Sequence, residues 1–308
     1  MVRFMLYNFQ YEKGLYTMTK MILSLLLMLA SASALLAEHT LSAPFVGYTT
    51  YNDSQLESGY DVGVFSQTKD ENATYNIFLN YNHLTNVGDT NETNATSDEE
   101  TIKNISISLL KKYNLADDLK LLTAINYNLS TDDRYDQVFS VLGGLEKSMD
   151  IIKFGANVSY SKFNDDALAK STTQVSPYFA FYFGHPNSVM GNFYTKIMYD
   201  TILLNSLADT TMSKRYRSHA LNITHFKHGF ETNVQLWFGE TLYALRSNGL
   251  VNQFLNIKYK DSALVSVKYN LSDTIALQLS SLSQTYMAIE DTEDSKLKTY
   301  ILAAYFKF

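Results

Sequence analysis

The sequence predicts an all-β fold, an antiparallel up-and-down barrel of fourteen strands that crosses a membrane. The chain is rich in aromatic residues and poor in proline, with 23 Tyr, 18 Phe and 3 Pro among 308 residues. From Phe45 onward, it consists of successive segments in which apolar and polar side chains alternate. An alternation with a period of two residues is typical of a β-strand. Most segments reach the roughly 9 to 11 residues that a tilted strand needs to cross a bilayer.

The segment 151–161 shows the alternation most clearly. Ile152, Phe154 and Tyr160 fall on one face, whereas Lys153 and Asn157 fall on the other. The same pattern returns at 75–82, 104–109, 174–183 and 265–270. A soluble β-sandwich would also alternate. The length of the segments and the aromatic ends of their apolar faces favour a membrane barrel whose polar faces line a water-filled interior.

The chain from residue 43 to its end can be divided into fourteen such segments. They lie at about 43–51, 58–67, 73–84, 102–113, 119–130, 136–147, 151–163, 173–183, 190–203, 215–226, 230–240, 254–270, 274–286 and 295–308. Longer connections at 85–101, 164–172, 204–214, 241–253 and 287–294 alternate with tight ones at 114–118, 148–150, 227–229 and 271–273. Long loops at one end and short turns at the other are typical of bacterial barrels. Weak patterning at the start, and a possible extra strand at 249–260, leave twelve or sixteen strands open.

The N-terminal part predicts an export signal. Lys20 precedes an apolar run at 21–30, and small residues follow at 31–34, in the order of a secretory leader. We expect a signal peptide at 1–37, cleaved after Ala34 or Ala37, and Met18 and Met21 are alternative starts of translation. A membrane anchor is the alternative, but the run is shorter than the roughly 20 residues of a spanning helix. Residues 38–308 are then a single barrel domain.

Composition excludes several classes of function. The chain has no cysteine, so it has neither disulfides nor thiolate metal sites. Its net charge is −6, and removal of the leader would make it more negative. A nucleic-acid partner is therefore not expected.

Alternate positions of the last predicted strand form a pattern that is known from other proteins. Counting back from the C-terminus, alternate positions hold Phe308, Phe306, Ala304, Leu302 and Tyr300. This pattern resembles the C-terminal assembly signal of bacterial outer-membrane β-barrel proteins, with Ala304 smaller than usual. The resemblance implies a porin-like protein in the outer membrane of a Gram-negative bacterium, inserted by the barrel assembly machinery, with membrane lipids and lipopolysaccharide around it.

Strand parity predicts which charged residues face the lumen. They are Asp61, Lys112, Lys120, Glu146, Lys153, Lys196, Asp200, Glu231, Lys268 and Lys307. Lys196 and Asp200 are four apart on one face of one strand, near the expected middle of the pore, so they are candidates for a constriction. Lys153 and Glu231 are further candidates for pore-lining residues. Loop 85–101 is the expected gate.

Aromatic and histidine side chains leave alternatives open. Trp237 and most tyrosines fit interfacial girdles. The second possibility is a row of lumenal aromatics made by Tyr178, Tyr182, Tyr194 and Trp237, as sugar porins have. The histidines His83, His185, His219, His225 and His228 form no catalytic or metal-binding pattern, so we expect them at interfaces or in turns.

The predicted function is passive diffusion of small hydrophilic solutes or ions through a channel, without enzymatic activity, cofactor or metal. Fourteen strands enclose more space than side chains alone fill. Predicted outer loops such as 89–100 and 290–294 are acidic, which indicates either solvated loops or a vestibule that attracts cations and bridges to lipopolysaccharide. A structural or adhesive barrel, and less so a lipid or protein hydrolase, remain the alternatives.

Overall fold

Fourteen long antiparallel strands close into one barrel. The structure, a computed structural model, describes residues 40–52, 56–86, 101–132, 136–164, 169–185, 187–207, 213–249, 251–252, 257–288 and 293–308. The barrel strands are β1 (Thr40–Asn52), β2 (Leu56–Lys69), β3 (Ala73–Asn86), β4 (Thr101–Ala116), β5 (Leu119–Ser130), β6 (Val138–Met149), β7 (Ile152–Lys162), β8 (Ala169–Gly184), β9 (Asn192–Leu207), β10 (Arg215–Lys227), β11 (Phe230–Gly239), β14 (Ile257–Asn270), β15 (Ile275–Ala288) and β16 (Ser295–Lys307). Two short strands, β12 (Leu245–Arg246) and β13 (Val251–Asn252), pair with each other in the connection between β11 and β14.

The barrel closes between its first and last strands. β1 pairs with β16 along its length, so that Thr49 lies opposite Thr299 and their hydroxyl oxygens are 2.8 Å apart. At the end of the chain, the backbone N–H of Phe308 donates to the carbonyl oxygen of Thr40 at 2.9 Å. Closure leaves no unpaired sheet edge, which a barrel in a membrane requires.

Alternating side chains give the wall two different faces. On β4, Ile105, Ile107 and Leu109 are exposed on the outer surface, whereas Asn104 and Ser108 are buried towards the interior. The other strands repeat this arrangement, with outward Leu277 and Leu279 on β15, for example. An apolar belt around the whole outer wall matches lipid rather than water.

Aromatic pairs mark the end of the barrel where the turns are short. The rings of Phe183 and Phe193 stack with centroids 4.8 Å apart, and those of Phe230 and Tyr269 are 4.5 Å apart. The β10–β11 turn at this end consists of His228 and Gly229 at φ 46° and 82°. Positive φ at both positions matches the twist of a two-residue hairpin.

The predicted fold is confirmed, with fourteen strands rather than twelve or sixteen. Every predicted strand corresponds to an observed barrel strand; the segment expected at 254–270 is β14, for instance. Among the residues that the structure describes, no helix has the length and apolar character of a membrane span. The predicted leader at 1–37 and most of the gate predicted at 85–101 lie outside the described residues.

Candidate functional site in the barrel lumen

A loop from the rim folds into the lumen and crosses it. Residues 241–249, here called the lumen loop, follow β11, and their last turn, the 3-10 turn Ser247–Gly249, packs against β4, β5 and β6. In the order of strands around the barrel, β10, β9, β8, β7 and β6 separate β11 from β5 on one side. The loop therefore reaches the nearly opposite wall. The prediction that 241–253 is an outer loop is wrong for these nine residues.

Apolar side chains hold the lumen loop in place. Leu242, Tyr243 and Ala244 are fully buried. They pack with inward-facing residues of β6, β8, β9 and β10 and with Phe163, in a cluster of Val138, Phe163, Ala169, Ile202, Leu204 and Tyr216. Leu245 packs further along the opposite wall with Leu110, Leu122, Ala124 and Leu142. Burial of a leucine or tyrosine of this size stabilises by roughly 1.5 to 3 kcal/mol, so the loop is firmly anchored.

A buried ion pair joins the lumen loop to β9. The Arg246 Nη1 atom donates to Asp200 Oδ2 at 3.2 Å, and Asp200 has no exposed surface. The other carboxylate oxygen accepts from Ser176 Oγ at 2.5 Å and from Gln174 Nε2 at 3.2 Å. The Arg246 guanidinium also lies 5.6 Å from the ring of Trp237. Partners on all sides offset the cost of burying the two charges.

Side-chain amides of the barrel wall also hold the lumen loop through hydrogen bonds. Gln174 Oε1 accepts from the backbone N–H of Leu245 at 2.8 Å, and Gln174 Nε2 donates to the carbonyl oxygen of Leu245 at 3.2 Å. On β7, Asn157 Nδ2 donates to Asn248 Oδ1 at 3.4 Å. The loop backbone is thus satisfied by the wall, as buried peptide groups must be.

A cavity of about 170 Å³ with a mixed polar and apolar lining remains between the lumen loop and the wall. Its apolar side is formed by residues such as Met198 and Leu221, and its amides, hydroxyls and charged groups include those of Asn157, Gln174, Lys196, Asn222, Gln235 and Arg246. A ligand here would meet several hydrogen-bonding groups and one aromatic face, that of Trp237. Such a lining suits hydrated solutes.

Four lysines lie below this constriction, towards the end of the barrel with short turns. We call them the lysine arc: Lys112 on β4, Lys120 on β5, Lys153 on β7 and Lys196 on β9. One carboxylate, that of Glu146 on β6, lies among them, directly opposite Lys120 in the strand register. Lys112 is in electrostatic range of Lys120, Lys153 and Glu146, and Lys196 is in range of Lys112.

Tyr178 contacts both a lysine of the arc, Lys196, and the carboxylate of Glu146. Its hydroxyl donates to Glu146 Oε2 at 2.8 Å, across β7, and its ring lies 3.9 Å from the ammonium nitrogen of Lys196. The ring can cross β7 only because residue 155 is glycine: a Cβ there would lie 2.7 Å from the Tyr178 hydroxyl oxygen. Lys153 rests in the same way on Tyr182, with Nζ 5.3 Å from the ring centroid.

The structure places the four predicted pore-lining residues in three regions of the interior. Lys196 and Asp200 share the inward face of β9, as parity predicts, but Asp200 pairs with Arg246, which the sequence assigns to an outer loop. Lys153 belongs to the lysine arc. Glu231 forms an ion pair with Lys268 at the turn end of β11 and β14, away from the constriction. Their role in conduction stays a prediction.

Trp237 is not part of an interfacial girdle. It lines the lumenal cavity beside Arg246, and Tyr178, Tyr182 and Tyr194 also face the interior.

The described histidines lie near strand ends or in turns, as predicted. His83 stacks on Tyr60 and His225 on Phe193, with ring centroids 4.7 and 4.6 Å apart, and His219 lies tilted beside Tyr199 at 5.0 Å.

Arg246 is the lumenal residue that strand patterning misses. A signal for it exists: the apolar run from Leu242 to Leu245 is unusual for a loop in water, and inward positions on β6, β9 and β10 hold Val138, Ile202 and Tyr216. Apolar residues facing a water-filled interior need a cover. The lumen loop supplies it.

Comparison with solved structures shows the same fold in bacterial outer-membrane β-barrels. The chain superimposes on the toluene transporter TbuX of Ralstonia pickettii with a TM-score of 0.54 and 6% identity, over 89% of this chain and 90% of TbuX. For the deltaS2S3 mutant of the monoaromatic hydrocarbon channel TodX the TM-score is 0.51, with 8% identity over 89% of this chain and 91% of that one. No protein-family model and no curated protein matches the sequence.

Proposed function

We propose that this protein is an outer-membrane channel through which small hydrophilic solutes diffuse passively. The observation that carries the proposal is the lumen loop, which leaves a cavity lined partly by charged and amide groups beside a clamped Arg246, inside a barrel with an apolar outer wall. A constriction built from fixed charges and amides selects solutes by size and charge. A barrel that serves only as an anchor does not need one.

The lining favours hydrophilic solutes over the hydrocarbons carried by TbuX and TodX. In the described part of the barrel, buried apolar residues such as Ile202 and Tyr216 pack against the lumen loop, and a separate buried cluster around Tyr286 packs on itself. They are therefore not available to an apolar solute. What faces the cavity includes Lys196, Asn222 and Gln235.

The same outer wall supports the proposed placement in the outer membrane. An apolar belt with aromatic ends fits the lipid core and its interfaces. On β16, Tyr300 and Leu302 are half exposed on this belt, and Phe308 directly follows the last residue of the strand. We propose that this outward row is read by the barrel assembly machinery, and that lipids and lipopolysaccharide surround the folded wall.

Planar bilayer recordings test the proposed channel. The full protein, purified in detergent and shown to be folded by heat-modifiable migration in gels, should give stepwise openings. A second preparation, in which residues 242–249 are replaced by a Gly/Ser linker of equal length, should conduct more because the constriction is gone. A folded barrel that remains silent in both forms would contradict the channel and favour a structural or adhesive role.

A further inference from the structure

The lysine arc carries more positive charge than its surroundings neutralise. In the described ranges of the chain, none of the ammonium groups of Lys112, Lys120, Lys153 and Lys196 lies within 4.0 Å of a carboxylate. Two carboxylates of the described residues are in electrostatic range of these lysines. Glu146 accepts the hydroxyl of Tyr178, and Asp200, which is in range of Lys196, is already balanced by its ion pair with Arg246. Three of the four charges are thus left for water or a mobile ion to balance.

The lysines are held apart rather than paired. Lys153 and Lys196 both lie opposite Ala180 in the register, one on each side of β8. Ala180 is flanked along the same inward face by Tyr178 and Tyr182, on whose rings the two ammonium groups rest. A cation–π contact fixes an ammonium group in position without cancelling its charge.

From this geometry we infer that the lysine arc is a binding site for anions, and that the solutes of this channel carry a carboxylate or phosphate group. The inference rests on the proposed function, since it names the solute class of that channel. Lysines in a pore wall attract anions from solution and release them again, because each contact is weak in water. Glu146 opposes the attraction and holds Tyr178, and so tunes the site.

The anion site can be tested by measuring, in a salt gradient, whether the channel prefers anions or cations. The wild-type channel should prefer chloride over potassium. Lys112→Met, Lys153→Met and Lys196→Met should each shift the permeability ratio about tenfold towards potassium, because one charge about 6 Å away in a water-like medium changes the local anion and cation concentrations about threefold in opposite directions. Glu146→Gln should shift it by a similar factor towards chloride. A merely structural role for these residues predicts no such opposite shifts.

Lys111 provides the matched control. It is the chain neighbour of Lys112 but lies on the outer face of β4, where its ammonium group is 5.0 Å from the ring of Tyr75. Lys111→Met removes the same charge at the same depth and should leave the reversal potential unchanged. A shift as large as that of Lys112→Met would overturn the inference, because the effect would then not come from the lumen.

The chemical group of the bound anion can be identified by testing which anion blocks the channel current. Acetate and inorganic phosphate are added separately to the wild-type channel and to the Lys153→Met and Lys196→Met variants. Block that weakens in both variants supports the site, and whichever probe blocks at lower concentration identifies its chemical group. Absence of block by both anions overturns the inference while leaving the channel intact. Absence of openings in any form contradicts the channel itself.

Discussion

Arg246 and Asp200, 46 positions apart in the chain, meet inside the barrel with Nη1 and Oδ2 separated by 3.2 Å. Asp200 is fixed by the wall on its own, through Ser176 and Gln174. Arg246 belongs to the loop that crosses the lumen. The pair is therefore a clamp between a rigid carboxylate and the segment that narrows the pore.

Loss of the clamp should loosen the constriction. Arg246→Met leaves Asp200 buried without its cation, and breaking a buried pair costs roughly 3 to 5 kcal/mol. We expect a lower free energy of unfolding in urea and a larger, noisier single-channel conductance. Lys258→Met is the control, because its partner Glu240 is 47% exposed and such a pair is worth at most about 1 kcal/mol. Equal effects of the two substitutions would refute the clamp.

The apolar anchor of the lumen loop predicts a second effect. Leu242 is fully buried, so Leu242→Ala should lower the free energy of unfolding by about 2 to 5 kcal/mol and expose the loop to protease. Leu271→Ala removes the same atoms from a side chain that is 57% exposed in the turn between β14 and β15, outside the apolar belt, and should change stability by less than about 1 kcal/mol. Protease resistance of the Leu242 variant would show that the loop is held by other contacts.

The fold could be predicted from the sequence because strand alternation is a local property. The contrast of Ile105 and Ile107 with Asn104 and Ser106, for example, requires no knowledge of the partner strand. The constriction could not be predicted in this way. Arg246 meets Asp200 through a loop path that no period describes, and Tyr178 reaches Glu146 across a third strand. Only the apolar residues of the loop hinted at its burial.

Gly155 tests whether Tyr178 needs its path across β7. A Cβ at this position would lie 2.4 Å from the carbonyl oxygen of Leu145 as well as 2.7 Å from the tyrosine hydroxyl oxygen. Gly155→Ala should therefore destabilise the barrel by about 1 to 3 kcal/mol. It should also shift ion selectivity, because Tyr178 no longer holds Glu146.

Gly143 on β6 is the matched control for this substitution. A Cβ there would meet nothing within 4 Å, so Gly143→Ala should be neutral or slightly stabilising. Thermal unfolding in detergent compares the two variants. Equal melting temperatures would show that the close approach at Gly155 is relieved by small movements and does not constrain Tyr178.

Phe308 predicts a difference between assembly in cells and folding in the test tube. If the outward row that ends at Phe308 is an assembly signal, Phe308→Ala should reduce the heat-modifiable barrel in the outer-membrane fraction several-fold. Refolding of the same variant from urea into detergent should be nearly normal, because the hydrogen bond to Thr40 comes from the backbone N–H of residue 308 and survives the substitution. Lys307→Ala, one residue earlier and facing the lumen, should assemble like the wild type in both settings. If Phe308→Ala refolds as poorly in detergent as it assembles in cells, the phenylalanine stabilises the barrel itself and is not a signal.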